Sequence, residues 1–512
     1  MDKVKTINFT NLESYNVIQI LKTYCDLLKS HQDGRYKLLV NSCNNKLLSY
    51  HLSVTLYHVD FDHPVCQFIS YFIKEMPFCG LYCGIITSSY LRKVLELIQD
   101  QHVLAHKEIV SRLDSLKNIV LSILEELKEK VYLESHRLVS IVKSCLKPWL
   151  VDYSFSKLLA VSLVKATLLA TDETSHRLGH IIIKAVDGRN SCEVYNGVIY
   201  KLESLWVPKL ENFTTHRVHI LLFTESLETS DFKNATISEN EFVDLIVSAR
   251  INVIACQKPI HKKVIFLLKR HQIFALERLG EETANALAHL SGAFPISDLR
   301  QVKWNELHSL IGVISSLKSV TLLNENYLLM ENVGCAVVTL FINHRNFDTL
   351  DQLKAILKEC IHTVYTIFKA PYLLPEDFES CLTKQLRNYE GTDVILRRMM
   401  SLFAETIYES APCVAQSKTN IKPHSNNVYL LKRNSIAQAF LLTANMLEVT
   451  DSRRFSAHCL PSECFADITV HQWKKSCRTA PRKMKCKPHL DMKTSVVPLQ
   501  AYLSALLTEL IP

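Results

Sequence analysis

Residues 251–293 read INVIACQKPIHKKVIFLLKRHQIFALERLGEETANALAHLSGA, and this stretch decides the fold class. Ile251–Ala255 is an apolar run of strand length. Pro259 suits a helix start, since its missing N–H falls among the donors that a helix N-terminus leaves unpaired. Val264, Leu267 and Leu268 then recur at helical spacing as far as Arg270. Gln272–Leu276 reads as a second buried strand. Glu281–Leu290 reads as a second helix, with acids in its first turn and Gly292 just beyond its end. The pattern is strand–helix–strand–helix with short joints, as in a parallel α/β layer.

Working outward, a chain of 512 residues is too long for one ordinary core, so two to four domains are expected. A hydrophobic content of 48% with 21% charged residues is that of a globular protein. Only 11 glycines lean against an enzyme that cradles phosphates on glycine-rich loops. The first residues, MDKVKTINFTNLESY, lack the basic and apolar regions of a signal peptide. No apolar run approaches the roughly 20 residues of a membrane span. Sixteen scattered cysteines without a regular framework fit reduced thiols and a cytoplasmic location. The net charge of +8 is nearly matched by seven basic residues, without an acid, between Lys474 and Lys487. A solvated basic loop is the preferred reading of that segment. The alternative is an electrostatic contact with an acidic partner, and no aromatic interleaving points to nucleic acid.

The order NVIACQKPIHKKVIFLLKRHQIFALERLGEETANALAHLSGA resembles the apical domain of group II chaperonins. Other stretches follow the same plan. Residues 14–30 form an amphipathic helix candidate with Val17, Ile20, Leu21 and Leu28 on one side. Asn196-Gly197-Val198-Ile199 resembles the strand that begins the apical domain, and His219–Phe223 is another buried strand. Ser238 and Glu241 form a capping box before Phe242–Ala249. Only 24 residues separate Leu227 from Asn252, where active members carry a longer helical protrusion, so the built-in lid reads as shortened. Val337–Ile342 is a strand. Thr349 and Gln352 cap a helix whose apolar face is Leu353, Ile356, Leu357, Cys360, Ile361, Val364 and Ile367. His106–Lys130, Arg387–Tyr408, Ser435–Leu447 and Val496–Leu510 read as further helices, and 294–334 as irregular.

The resemblance implies an α+β multidomain protein with a helical equatorial domain (1–135 and 375–512), a small intermediate domain (136–185 and 331–374) and an α/β apical domain (186–330). It also locates the family's nucleotide pocket, and there the chain departs from the pattern. In HQDGRYKLLVNS only Gly34 and Lys37 survive of a Gly-Pro-x-Gly turn and its following lysine. Side chains crowd a turn whose work needs bare backbone. The family's Gly-Asp-Gly-Thr-Thr loop corresponds to Phe78, Cys79, Gly80, Leu81 and Tyr82. A thiol at Cys79 replaces a carboxylate, and Mg²⁺ prefers oxygen ligands. Cys79 and Cys83 read as core thiols rather than a metal pair.

The Asp that activates the attacking water corresponds to Glu359. Its extra methylene moves the carboxylate by roughly 1 Å, a misplacement that can cost on the order of 100-fold in rate. Glu359 is thus either a weak base or a solvated helix position, and the second reading is preferred because the phosphate loops are lost. Where the family writes Pro-Gly-Gly-Gly-Ala, this chain continues Leu373-Leu374-Pro375-Glu376-Asp377-Phe378. The negative charge of Glu376 and Asp377 would repel phosphate. Within the superfamily the likeness is nearest to the chaperonin-like proteins linked to Bardet–Biedl syndrome. It implies an assembly factor without ATP turnover, with no catalytic residue, metal or cofactor. The implied setting is the centrosome or basal body, with TRiC/CCT subunits and sister chaperonin-like proteins as partners and BBSome subunits as clients. The alternatives are a divergent but active ATP-dependent subunit and a plain centrosomal scaffold.

Overall fold

The computed structural model describes residues 14–451 apart from short interior stretches, the longest being 41–45, 101–105, 147–152, 203–216 and 412–426. Thr349 and the expected helix Val496–Leu510 lie outside the described residues, as does the basic segment 474–487. The chain forms two compact units. Among the described residues, one is built from the chain up to Glu134 and again from Thr366 to Asp451. The other comprises Ser135–Leu146 and Leu150–Tyr365.

The first unit is mostly helical. Its helices are α1 (Ser14–Lys29), α2 (Pro64–Glu75), α3 (Gly80–Asp100), α4 (His106–Leu127), α12 (Phe378–Arg387), α13 (Val394–Ser410) and α14 (Tyr429–Asp451). Two small antiparallel ribbons accompany them: β1 (Lys37–Val40) with β2 (Lys46–Ser49), and β3 (Glu129–Lys130) with β14 (Tyr372–Leu373). Helix α3 is the hub, packed by α1, α2, α13 and α14. Every residue from Tyr82 to Leu91 is buried, as expected of a helix that is surrounded on all sides. The hydroxyls of Thr87 and Ser88 donate back to the carbonyls of Cys83 and Gly84 at 2.8 and 2.7 Å, so burial leaves them bonded. Tyr90, Phe403 and Phe440 form an aromatic knot between α3, α13 and α14. In α4 the residues Ile109, Leu113, Leu116, Val120 and Leu124 are buried, the stripe that its periodicity predicts.

Two expected helices need correction: His106–Lys130 ends at Leu127, with Glu129 and Lys130 in β3, and Arg387–Tyr408 is two helices. Arg387 ends α12, and α13 starts at Val394. Asp393 makes the break, because its carboxylate accepts from the backbone N–H groups of Ile395 and Leu396 at 2.9 and 3.0 Å and so caps a new helix.

The second unit begins with α5 (Ser135–Leu146) and α6 (Tyr153–Leu169). A three-stranded sheet places β13 (Val337–His344) between β4 (His180–Asp187), which runs parallel to it, and β5 (Ser191–Asn196), which runs antiparallel. A second sheet joins β6 (Val198–Lys201), β12 (Glu325–Glu331) and β11 (Ser316–Leu322). The third has the order β10-β7-β8-β9, formed by β7 (Val218–Phe223), β8 (Val253–Cys256), β9 (Phe274–Leu276) and β10 (Gly312–Ile314). Strands β7, β8 and β9 are parallel, as residues 251–293 predict.

Side chains alternate across this sheet. Ile220, Leu222, Val253 and Ala255 pack against Ala284, Leu287 and Leu290 of α10 (Gly280–Ser291). Leu221, Phe223, Ile254 and Cys256 face the opposite way, toward α7 (Thr229–Asn234), α8 (Glu239–Ser248) and α9 (Lys262–Arg270). The Ser238–Glu241 capping box is present, and Gly292 ends α10 in the left-handed conformation at φ 71°. Helix α9 starts at Lys262, three residues after Pro259. The intervening chain is held extended by a bridge between Leu227 and Ile260 and by the Ile260 N–H donating to Glu277 at 2.8 Å. Helix α11 (Leu350–Lys369) buries all seven residues of its expected face.

The region 294–334 is not irregular. It holds β10, β11 and β12. Strands β11 and β12 form a hairpin through Leu323 and Asn324, both at positive φ (52° and 61°). That is the turn geometry usually written with glycine, and its absence hides the hairpin from a reading of the sequence.

Candidate functional site

The residues singled out from the sequence fall in both units. Gly34 and Cys79 lie outside the described residues. Lys37 opens β1 opposite Ser49. Gly80 is buried at the first position of α3, and a Cβ added there would stand 2.9 Å from the Ile73 side chain of α2. The helix start is thus closed over by its neighbour. Glu376 and its neighbour Asp377 are exposed just before α12. Glu359 is half-buried on α11, between the exposed Lys358 and the buried Cys360.

Two aromatic residues from the stretches singled out in the sequence meet in space. Tyr82, in the first turn of α3, and Phe378, the first residue of α12, flank one ammonium. The Nζ of Lys432 lies 3.5 Å from the centre of the Tyr82 ring and 5.4 Å from that of Phe378. A carboxylate completes the group, with Glu379 Oε1 at 3.8 Å from Lys432 Nζ. The two charged side chains are only 9% and 12% exposed. A cation that leaves water needs this kind of surrounding: ring faces of negative potential and an opposite charge. Burial raises the Glu379 carboxyl above the usual carboxylate range, and the Lys432 ammonium partly offsets that rise.

Lys432 and Glu379 escape a reading of the sequence. Lys432 sits on the stripe Val428, Lys432, Ser435, Ile436, Ala439, whose other members are all buried. A lysine on the inward face of a helix was the available signal. Helix α14 begins six residues before the stretch Ser435–Leu447 that periodicity picks out, so that face is not seen whole.

A second buried cation links α3 to α13. Lys93 Nζ lies 2.8 Å from Glu409 and 3.5 Å from Glu405. Burial would raise the Glu409 carboxyl, but its hydrogen bond and attraction to Lys93 outweigh that and hold it below the usual range. Among the described residues no group of three or more His, Cys, Asp or Glu side chains is arranged to hold a metal ion. No described helix is long and apolar enough to cross a membrane.

Comparison with known proteins follows the same lines. The model of the TCP-1/cpn60 chaperonin family matches residues 33–389. The human protein named Molecular chaperone MKKS is 22% identical over 377 residues, covering 67% of this chain and 64% of that protein. Its mouse counterpart is 22% identical over 382 residues, covering 68% of this chain and 64% of that protein. The chain therefore matches less than two thirds of the length of these relatives.

Proposed function

Since the chain belongs to the TCP-1/cpn60 chaperonin family, we propose that it is a chaperonin-like assembly factor that has given up nucleotide turnover. The observation that carries this reading is Lys432 held between Tyr82 and Phe378. At positions where the resemblance expects a hydroxyl donor and a flexible glycine, there are two aromatic rings clasping a buried ammonium. That ammonium is turned inward and is not presented to phosphate. A nucleotide with Mg²⁺ does not suit these residues. The close approach of Ile73 to Gly80 narrows the start of α3, and the exposed Glu376 and Asp377 bring negative charge to the other loop.

In this reading the chain works by offering surfaces. Phe266 on α9 is 62% exposed, and Val247 on the adjacent α8 is 38% exposed, so this pair of helices carries apolar side chains into solvent. The equatorial, intermediate and apical division (1–135 and 375–512; 136–185 and 331–374; 186–330) is part of the proposal. So is the work beside TRiC/CCT and sister chaperonin-like proteins in assembling the BBSome at the centrosome or basal body.

The first test is Mg-ATP binding and hydrolysis by the purified chain, with Glu359→Ala as control. Absence of binding, together with co-purification with TRiC/CCT subunits, is the expected result. Hydrolysis that disappears in the Glu359→Ala protein would overturn it in favour of a divergent working ATPase.

A further inference from the structure

A cavity of about 540 Å³ lies within the second unit, bounded by residues 177–182, the first turn of α10 and one face of α11. This is the size range of small-molecule sites, about 300–1,000 Å³. Arg177 and His180 line it from the chain entering β4. Lys358, Ile361, His362 and Tyr365 line it from α11. The last four recur at helical spacing and therefore share one face of α11.

The charges in the cavity are uneven. Its carboxylate, Glu282, stands 3.3 Å from Lys358, with both side chains more than half exposed. Such a pair is weak and exchanges readily for a better anion. Arg177 is exposed and makes no ion pair among the described residues. The two imidazoles contribute no charge near neutrality. Burial and the nearby Lys358 push His362 down to about 4. His180 is lowered by burial and by His289, whose ring centre lies 4.9 Å away, against the pull of Glu282. The neutral His180 ring keeps an N–H donor. Fixed positive charge thus comes from the chain entering β4 and from α11, with the His180 ring beside it and an apolar wall at Leu178 and Ile361.

We propose that this cavity binds a small phosphate monoester. Arg177 and Lys358 hold the phosphoryl oxygens, His180 donates to them, and the organic body rests on Leu178 and Ile361. Donors from separate elements suit the three oxygens of a phosphoryl group better than the planar pair of a carboxylate. The volume exceeds what a bare phosphate fills. The cavity and the Lys432 cluster belong to different units, so this assignment stands independently of the proposed loss of nucleotide turnover.

The test is calorimetric titration of the full chain with phenyl phosphate, inorganic phosphate and phenol. Phenyl phosphate is expected to saturate the protein and to bind more tightly than either fragment. Arg177→Gln and Lys358→Gln, both exposed and so compatible with folding, should each weaken it by about tenfold or more. Lys318→Gln, an exposed cation on β11 that does not line the cavity, should leave it unchanged. Absence of saturable binding overturns the assignment. So does inorganic phosphate binding as tightly as phenyl phosphate, or an affinity that Arg177→Gln and Lys358→Gln leave intact or that Lys318→Gln lowers equally.

Discussion

The ammonium of Lys432 on α14 stands 3.5 Å from the centre of the Tyr82 ring on α3, and Glu379 on α12 holds it from another side. A desolvated cation–π contact is worth about 2 kcal/mol, and a buried charge that loses its partner costs more. Lys432→Met should therefore destabilise the protein by about 3 kcal/mol, because it strands the Glu379 carboxylate. Adding Glu379→Leu should restore part of the loss, and urea unfolding of the two single variants and the double variant checks this. Recovery that fails to appear would mean the ion pair is incidental.

The same pair predicts a pH dependence. The Glu379 carboxyl is raised by burial. A raised carboxyl contributes stability below its unfolded value and loses that contribution as pH rises through its folded value. Lys432 opposes the rise, so Lys432→Met should lift the carboxyl further. The deficit of Lys432→Met relative to the parent should be largest near neutrality and shrink as pH falls toward about 5. Paired unfolding curves across that range read it directly. A constant deficit would count against the assignment.

Lys93 behaves oppositely because it has two acids. With Glu409 at 2.8 Å and Glu405 at 3.5 Å, either carboxylate still neutralises the buried ammonium when the other is removed. Glu409→Gln or Glu405→Gln alone should cost about 1 kcal/mol or less, since both acids are substantially exposed. The double variant should cost clearly more than the sum, because it leaves a buried charge alone. The lowered Glu409 carboxyl gives stability above the ordinary carboxylate range and loses it as pH falls through its folded value, so this linkage should weaken on acidification. Additive costs in the double variant would refute the sharing.

The parallel layer within residues 251–293 was legible because its signals are local. The buried run at Val253–Cys256, the acids opening α10 and Gly292 closing it need no knowledge of the rest of the chain. The site was legible only as departures from a pattern. That Tyr82 and Phe378 share a partner depends on a lysine far along the chain, and no spacing within either loop encodes it. The hairpin at Leu323–Asn324 was hidden for a different reason, since non-glycine residues occupy left-handed positions there.

Gly197 joins β5 to β6 with φ at 131°, and a Cβ added there would lie 2.0 Å from the Met330 carbonyl oxygen. Both the backbone angle and the close approach forbid a side chain. Gly197→Ala should cost more than about 2 kcal/mol. Thermal unfolding indistinguishable from the parent would contradict the close approach.

Rebuilding residues 78–82 alone, with Phe78→Gly, Cys79→Asp, Leu81→Thr and Tyr82→Thr together, should not yield ATP hydrolysis. Phe378, Glu376 and Asp377 still occupy the other loop, and removing Tyr82 takes a ring from Lys432. Phosphate release above background by that variant would show that the defect is confined to one loop.

The central position of β13 between β4 and β5 also bears on biosynthesis. The outer two strands leave the ribosome first, with their pairing edges bare, and the strand that joins them begins only at Val337. At cellular rates of translation the delay is on the order of ten seconds. Throughout it the nascent chain carries two strands without the partner they share, Ile181–Ile183 the most apolar run among them. A protein of a chaperone family thus has, during its own synthesis, an interval in which it is a natural client for holding factors.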